Sequence, residues 1–300
     1  MLTDTETEKP LRLPQWLRKD VLLNDKSRKV HSLIQEFNLN TVCQSARCPN
    51  KNECFSNNTA TFMINGNVCT RGCTFCSVPK GKPLLMAYDS LLVEEPQNIA
   101  LAAKLLGLKH VVITSVNRDD LPEQGSEQFA KTINELRAKI QNVTIEVLTP
   151  DFRGDKKCIK TVVDACPDIY NHNLETVPRL YRDVRPGAIY ERSLDLIKFV
   201  KNLASTPRVI TKSGLMLGLG EELEEVIQVM RDLFFYGCDY LTLGQYMQPT
   251  RENIPVYRYL LPEEFERLKE IGLKIGFKKV FSGPLVRSSY HAEELYRTES

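Results

Sequence analysis

The chain has 300 residues and nearly balanced charge, with 40 Lys and Arg against 38 Asp and Glu and a formal net charge of +2. This balance gives no argument for binding nucleic acid or a membrane surface, and no apolar run is long enough to cross a bilayer. Residues 1–8 are acidic and lack the features of a secretion signal or an organelle transit peptide. We therefore expect a cytoplasmic protein whose nine cysteines are ligands or free thiols, not disulfides.

The first predicted elements form a polar arm rather than a domain. Residues 1–40 carry only short apolar pieces, and 30–37 could form one short helix. From about residue 59 the pattern alternates between strands and helices. Six strand candidates are short and rich in β-branched or apolar residues: 59–64, 110–114, 144–148, 169–173, 208–217 and 240–245. A last candidate, 278–281, is set apart from this group.

Helical stretches separate the strand candidates. In one of them Ser126 is expected to cap a helix whose apolar residues share a face, and 221–236 forms a second apolar stripe. Strands separated by helices predict right-handed crossovers and a parallel sheet. Six such units favour an α/β protein with an incomplete (β/α)6 TIM-like barrel, and an open doubly wound sheet is the alternative. In both folds catalytic groups lie at the carboxyl ends of the strands.

Six of the nine cysteines fall within residues 43–76 as two groups of three. The first trio is Cys43-x4-Cys48-x5-Cys54, and the second trio is Cys69-x3-Cys73-x2-Cys76. Each trio can hold one iron–sulfur cluster and leave one iron without a protein sulfur. The first trio could instead be structural. The second could bind zinc or a plain electron-transfer cluster, although zinc normally takes four ligands and this loop offers three without a nearby histidine.

The second trio resembles the signature of the radical S-adenosylmethionine (SAM) enzymes, including the aromatic Phe75 before its last cysteine. In that superfamily a [4Fe–4S] cluster is held by the three cysteines. The amino and carboxylate groups of SAM bind the fourth iron. Electron transfer from the cluster then yields methionine and a 5′-deoxyadenosyl radical.

Taken together, the two trios resemble the lipoyl synthase family. Further similar motifs are 171–180, 184–187, 211–221 and the Arg-Ser-Ser-Tyr run at 287–290, and the resemblance spans roughly residues 30–295. One departure follows residues 119–122, where the family usually has an acidic residue and two glycines. This chain reads Glu123-Gln124-Gly125-Ser126 there, which could alter a loop near SAM.

The resemblance implies an auxiliary [4Fe–4S] cluster on Cys43, Cys48 and Cys54, with a serine of the Arg-Ser-Ser-Tyr run on its fourth iron. That serine is Ser288 or Ser289, and we favour Ser288. The implied organisation is an N-terminal extension over 1–58 with the auxiliary-cluster cysteines, a radical SAM partial barrel over 59–260, and a C-terminal extension over 261–300 with the serine ligand.

The resemblance also implies the reaction. Two sulfur atoms, taken from the auxiliary cluster, enter at C6 and C8 of an octanoyl chain linked to a lysine of a lipoyl carrier domain or H-protein. These carbons bear no acidic proton, so a radical must remove the hydrogen atom. The other implied partners are an electron donor such as flavodoxin or ferredoxin and an iron–sulfur carrier that rebuilds the cluster.

SAM needs polar partners at the strand ends. By resemblance these are Asn173, Glu175 and Arg185, with Ser115 and Asn117 as weaker candidates. Lys212 and Ser213 are weaker still, because a solvated loop is as plausible there. Two alternatives stay open from the sequence: a radical SAM enzyme that inserts sulfur into a free small molecule, and a non-enzymatic iron–sulfur carrier or scaffold.

Overall fold

The computed structural model describes residues 12–19, 25–56, 61–83, 85–203 and 209–289. Within these ranges no helix is both long enough and apolar enough to cross a membrane. The described residues of the arm include a helix that is longer than the 30–37 expected from the sequence. This helix, α1, spans Asp25–Glu36 and packs against the first-trio region.

Eight strands in the described ranges form one sheet, and its strand order follows the chain. The strands are β1 (Asn40–Thr41), β2 (Thr61–Ile64), β3 (His110–Ser115), β4 (Thr144–Leu148), β5 (Ile169–Asn171), β6 (Ile210–Leu217), β7 (Tyr240–Gln245) and β8 (Lys279–Gly283). β1 pairs antiparallel with β2, and every later pair is parallel. The predicted alternation of strands and helices around a parallel sheet is confirmed.

Helices of the described ranges fill the connections and flank the sheet. They are α1, α2 (Val42–Ser45), α3 (Lys51–Ser56), α4 (Leu85–Leu105), α5 (Ser126–Lys139), α6 (Lys156–Asp164), α7 (Tyr181–Val184), α8 (Tyr190–Asn202), α9 (Leu223–Phe235) and α10 (Pro262–Ile275). Each parallel connection after β2 contains at least one of them. Their apolar faces and the strands form the main core, in which Phe62, Phe129, Ile145 and Leu241 are fully buried.

Two expectations about the sheet need correction. The segment 278–281 is not separate, because β8 pairs in parallel with β7 over five residue pairs and extends the same sheet. The open doubly wound alternative is also wrong, because such a sheet reverses its strand order at a switch point and this order runs without reversal from β1 to β8.

The start of α5 also differs from the expectation. Gly125 rather than Ser126 is the N-cap, and Ser126 is a buried first-turn residue. Gln124, at the position where the resemblance leads us to expect a glycine, has φ 51°. Glycine adopts the left-handed region at the lowest energetic cost, so glutamine at position 124 leaves the loop mildly strained. Gln124, Gly125 and Ser126 do not line the cavities described below.

Candidate metal and cofactor site

The second trio lies on the loop that follows β2, at the carboxyl edge of the sheet. Cys69, Cys73 and Cys76 line one cavity of about 200 Å³, which we call the loop cavity. Its other walls are the segments that follow β3, β4 and β5. Since the carboxyl ends of parallel strands meet at one edge, residues far apart in sequence converge here.

Hydrogen bonds from three directions fix the backbone of this loop. The Thr70 amide and hydroxyl both donate to the Asn117 carbonyl, at 3.1 and 3.0 Å. The Thr74 amide donates to the Val184 carbonyl at 3.0 Å. On the third side, Asn253 Nδ2 donates to the carbonyls of Thr74 and Cys76, at 3.0 and 3.1 Å. The positions of the thiols are therefore set by the surrounding protein.

A buried ion-pair network, which the sequence reasoning missed, crosses the same loop. Arg71 lies between two cysteines and donates to both Asp119 carboxylate oxygens at 2.7 and 2.8 Å. It also pairs with Asp151 at 2.7 Å, and Arg192 meets the other Asp151 oxygen at 3.1 Å. Burial alone lowers the pKa of Arg71, but the two carboxylates raise it well above its usual value. Asp151 follows the carboxyl end of β4. Because functional side chains are expected at such positions, its place in the sequence marks it as a candidate site residue.

Five of the seven residues considered as SAM contacts line the loop cavity, and Lys212 and Ser213 do not. The five residues are Ser115, Asn117, Asn173, Glu175 and Arg185. Several of their polar atoms are buried without a hydrogen-bond partner, namely Ser115 Oγ, Asn173 Oδ1 and Arg185 Nε. Buried polar atoms are normally paired, so these three suit a polar ligand such as the amino-acid or ribose part of SAM.

The backbone around Glu175 is held close to β6. Its amide donates to the Gly214 carbonyl at 3.0 Å, and its carbonyl accepts from Met216 at 2.8 Å. A side chain on Gly214 would meet the Thr242 hydroxyl at 2.5 Å and Asn173 Oδ1 at 3.0 Å. Glycine at 214 therefore lets the strand-end residues approach β6.

The loop cavity holds side chains of opposite charge type, the acid Glu175 and the base Arg185. Removal from water raises the pKa of Glu175, while the Arg185 guanidinium and the Asn173 amide favour its ionised form. Asn173 Nδ2 donates to Glu175 at 3.1 Å, and Arg185 Nη1 donates to the Leu174 carbonyl at 2.8 Å. The wall thus places a carboxyl group beside a cation, a pair of groups that suits the two ends of a bound amino acid.

Three weaker candidates have protein partners instead. Asn117 Nδ2 lies 3.8 Å from Cys69 Sγ and donates to that sulfur, so its amide already contacts the second trio. Lys212 is not in a solvated loop: it belongs to β6, is fully buried, and pairs with Glu146 at 2.9 Å. Ser213 Oγ accepts from the Leu174 amide at 3.3 Å.

The first trio occupies the segment between β1 and β2. Thr41 caps α2 by accepting from the Gln44 amide at 3.3 Å, and α2 carries Cys43. Cys48 follows α2, and Cys54 lies on α3. The three thiols are close enough that the charges of Cys43 and Cys48 both raise the pKa of Cys54.

A second cavity, of about 330 Å³, adjoins the first trio, and we call it the arm cavity. Cys43 and Cys48 line it, together with Ser288 and Ser289 from the C-terminal segment. Cys54 is not part of this wall. Arg287 is close enough to Cys48 for their charges to interact.

The two predicted serines differ in their partners. Ser289 Oγ accepts a hydrogen bond from the Thr61 hydroxyl at 2.9 Å, so it is bound to β2. Thr61 also contacts Cys43, where it opposes the effect of burial on the thiol. Ser288 faces the same cavity, and its carbonyl accepts from Lys212 Nζ at 2.5 Å.

The loop cavity and the arm cavity share a wall. Cys76 and Phe75 line both, and so do Leu148, Asn173 and Glu175. The cavity of the second trio and the proposed SAM residues therefore adjoins the cavity beside Cys43 and Cys48.

Three cysteine sulfurs are a donor set that an iron–sulfur cluster can use, and burial affects the thiols of both trios. Burial raises the pKa of Cys43 to about 11, of Cys54 to about 12 and of Cys76 to about 11. These thiols stay protonated until a metal displaces the proton, and metal binding then releases it. Within the described ranges no three His, Cys, Asp or Glu side chains converge as they would around a single ion.

Comparison with known proteins identifies similar sequences and folds. The family model of the Radical SAM superfamily matches residues 63–233. A lipoyl synthase from Caldanaerobacter subterraneus subsp. tengcongensis is 56% identical over 94% of this chain and 96% of its own length. A lipoyl synthase from Rubrobacter xylanophilus is 53% identical over 94% of this chain and 85% of its own.

A structural comparison supports the fold alone. The structure of coproporphyrinogen III oxidase from Escherichia coli, a radical SAM enzyme, superposes with a TM-score of 0.54 at 12% identity. The match covers 71% of this chain and 52%, about half, of that one.

Proposed function

The chain belongs to the lipoyl synthase family of radical SAM enzymes, and from this premise we propose that it inserts two sulfur atoms into a protein-bound octanoyl chain. The insertion sites are C6 and C8 of octanoyl-lysine on a lipoyl carrier domain or H-protein. One observation carries the proposal: Cys43 and Cys48 border one cavity, the second trio borders another, and Phe75 and Cys76 line both. A single substrate chain can thus reach both.

The second trio would hold the [4Fe–4S] cluster that binds SAM. Cys69, Cys73 and Cys76 are the proposed ligands, and each lines the loop cavity. The unpaired Asn173 Oδ1 and Arg185 Nε support a polar ligand beside them. Glu175 completes the proposed amino-acid pocket, and Ser115 and Asn117 are its remaining proposed contacts.

The first trio would hold the auxiliary [4Fe–4S] cluster through Cys43, Cys48 and Cys54. Ser288 is the proposed ligand of the remaining iron. Both serines line the same cavity as Cys43 and Cys48, but the Ser289 hydroxyl is bound to Thr61. An oxygen ligand binds iron less tightly than a thiolate and is lost on protonation, which suits a cluster that gives up its sulfur.

When bound, the cofactors supply a carbon radical that removes hydrogen from an unactivated C–H bond and a source of sulfur for that carbon. The chain's own residues position the substrate. Phe75, Leu148, Met216, Tyr246 and Val286 line the arm cavity and suit an alkyl chain. Apolar walls also exclude water from the reacting carbon.

We further propose that the sheet curls into an incomplete barrel with extensions at both ends. Residues after β2, β4, β5 and β7 line the same connected cavities, as strand ends around a curved sheet would. The proposed boundaries are an extension over 1–58, a radical SAM unit over 59–260 and an extension over 261–300. The first trio and Ser288 come from the two extensions.

The proposal includes further partners and a cellular location. A one-electron donor such as flavodoxin or ferredoxin would reduce the SAM-binding cluster, and an iron–sulfur carrier would rebuild the auxiliary one. A cytoplasmic location suits thiolate ligands, since reducing compartments keep cysteines out of disulfides.

The test is a single-turnover reaction under strict exclusion of oxygen. Anaerobically reconstituted protein should hold about eight irons per chain, four for each cluster. With SAM, dithionite and an octanoylated carrier domain it should release 5′-deoxyadenosine, and the carrier should gain the mass of two sulfur atoms.

Each alternative gives a different result in the same assay. Free octanoic acid reacting as fast as the octanoylated carrier would assign a small-molecule substrate instead. An intact two-cluster protein that releases no 5′-deoxyadenosine would be an electron carrier or scaffold. Either result contradicts the proposal.

A further inference from the structure

A buried lysine contacts the backbone of the serine that we propose as a cluster ligand. Lys212, in β6, and Glu146, in β4, are both fully buried, and Lys212 Nζ lies 2.9 and 3.2 Å from the two carboxylate oxygens. Asn171 Nδ2 donates to the same carboxylate at 2.9 Å. The inner side of the sheet therefore contains a hydrogen-bonded ion pair.

Such a pair needs an explanation, because removing two charges from water costs about as much as their attraction returns. Burial by itself raises the pKa of Glu146, but Lys212 and then His110 lower it to about 2. The carboxylate therefore stays ionised at neutral pH, and Lys212 keeps a fixed position. An ammonium has three donors, and the Glu146 carboxylate occupies one side of it.

The side of the Lys212 ammonium that does not contact Glu146 faces the C-terminal segment. Lys212 Nζ donates to the Ser288 carbonyl at 2.5 Å. This charge-assisted bond fixes the backbone of Ser288, which lines the arm cavity. A displacement of that carbonyl would move the hydroxyl with it.

Neighbouring contacts show that residues 285–289 lie across the sheet. Asn50 Nδ2, from the first-trio region, donates to the Leu285 carbonyl at 2.7 Å. The Val286 carbonyl lies so close to β7 that a side chain at Gly244 would stand 2.1 Å from it. Thr61 of β2 binds Ser289 at 2.9 Å. Lys212 supplies the central and charged attachment of this segment.

We propose that Lys212 is a positioning residue that holds Ser288, through its carbonyl, on the wall of the arm cavity where the auxiliary cluster would bind. The inference rests on the proposed function in its assignment of Ser288 as a ligand. It adds that the Glu146–Lys212 pair serves the auxiliary site: neither residue lines either cavity, but Lys212 binds the carbonyl of Ser288 on the wall of the arm cavity.

The test uses the paired variant Lys212→Met with Glu146→Gln in anaerobically reconstituted protein. Changing both residues avoids leaving a buried unpaired charge, which would destabilise the fold by itself. The matched control is Lys201→Met, which removes a 2.5 Å ion pair to Asp239 that does not contact the C-terminal segment.

Two measurements are compared: hydrogen exchange of the 286–289 amides, and lipoyl product formed per SAM cleaved. In the paired variant we expect faster exchange in 286–289. We also expect SAM cleavage within about twofold of normal and product per SAM reduced about tenfold or more, since small misplacements of reacting groups have effects of this size. The control should change neither quantity.

Unchanged hydrogen exchange in 286–289 would show that Lys212 does not hold the segment. Faster exchange with an unchanged yield of product per SAM would show that holding the segment does not matter for sulfur insertion. Either result overturns the inference. If the wild-type chain forms no lipoyl product, the proposed function fails, and the exchange comparison alone then decides whether Lys212 fixes the segment. Should the paired variant not fold, Lys212→Arg gives the same comparison, because its larger planar group must shift the Ser288 carbonyl.

Discussion

Two cysteines on the walls of different cavities should fail in different ways when replaced. Cys73 lines the loop cavity with the proposed SAM residues, and Cys48 lines the arm cavity. We expect Cys73→Ala to abolish SAM cleavage. Cys48→Ala should keep abortive cleavage of SAM and form no lipoyl product. Chromatographic assay of 5′-deoxyadenosine and mass analysis of the carrier domain measure both.

The exposed Cys166 provides the control for these variants, because it lies in neither trio. Cys166→Ala should retain both activities. Normal product formation by Cys48→Ala would reject the sulfur-donor role of the first trio. Loss of SAM cleavage in that variant, with the protein still folded, would place the first trio in the SAM site.

The adjacent serines can be separated by the same assay. Both serines line the arm cavity, but the Ser289 hydroxyl is already bound to Thr61 at 2.9 Å. Ser288→Ala should therefore eliminate product while SAM cleavage continues, and Ser289→Ala should lower product only modestly. The reverse pattern, with both variants folded and loaded with iron, would assign the ligand to Ser289.

At the scale of residues, the sequence predicted groups that are close in the chain and missed groups that are close only in the fold. The two trios are recognised from their spacing in the chain, and Asn173 from its position directly after β5. Asp151 could not be linked to Arg71 from the sequence, because β3 and β4 must first bring them together. Lys212 was misread because a lysine in a buried strand is unusual, and its partner Glu146 lies 66 residues away.

At the scale of elements, the loop that carries the second trio depends on the ion pairs of Arg71. Arg71→Gln removes its pairs to Asp119 and to the buried Asp151. Breaking a buried pair by removing one partner costs on the order of 3 kcal/mol. We expect this loop to loosen, SAM cleavage to fall about tenfold or more, and iron to drop toward about four per chain as the first-trio cluster remains.

An exposed arginine gives the matched control for this variant. Arg179 makes a similar pair with Glu225, but the Arg179 side chain is exposed and that of Glu225 is only partly buried. Arg179→Gln should leave iron content, SAM cleavage and the unfolding midpoint unchanged, because exposed pairs contribute little. If Arg71→Gln behaves like Arg179→Gln, the ion-pair network does not set the geometry of the loop.

Element type was more predictable than element role. The alternation of β-branched runs and amphipathic helices gave the parallel sheet, because both patterns are local. The place of β8 in the sheet was not accessible, since it depends on pairing with β7 across the whole of α10. The N-cap of α5 was also misplaced, because Gly125 packs against Asn65, a contact that exists only in the folded chain.

At the scale of the whole molecule, a buried histidine makes stability depend on pH. His172 Nδ1 lies 2.9 Å from the Thr149 carbonyl, which can only accept, and Nε2 lies 3.0 Å from the Ser193 hydroxyl. Burial, and next the charge of Arg185, lower the pKa of His172 from 6.5 to about 4. Between these values the unfolded chain binds the extra proton, so this contribution to stability is complete above pH 6.5 and is lost toward pH 4.

The variant His172→Gln should remove this dependence. From pH 7 to pH 5 the wild-type chain should lose about 2 kcal/mol more of its unfolding free energy than the variant does. Anaerobic urea unfolding at the two pH values measures the difference, and comparing the two chains cancels the other titrating groups. Equal losses in both chains would mean that His172 is not held neutral.

The account depends most on two clusters facing one connected space. An anaerobic crystal structure of the reconstituted protein, with anomalous scattering recorded at the iron edge, tests this directly. We predict two separate iron centres, one among Cys69, Cys73 and Cys76 and the other among Cys43, Cys48 and Cys54, with open positions toward the shared wall at Phe75. A single iron centre, or a second one on the outer surface away from that wall, would contradict the account.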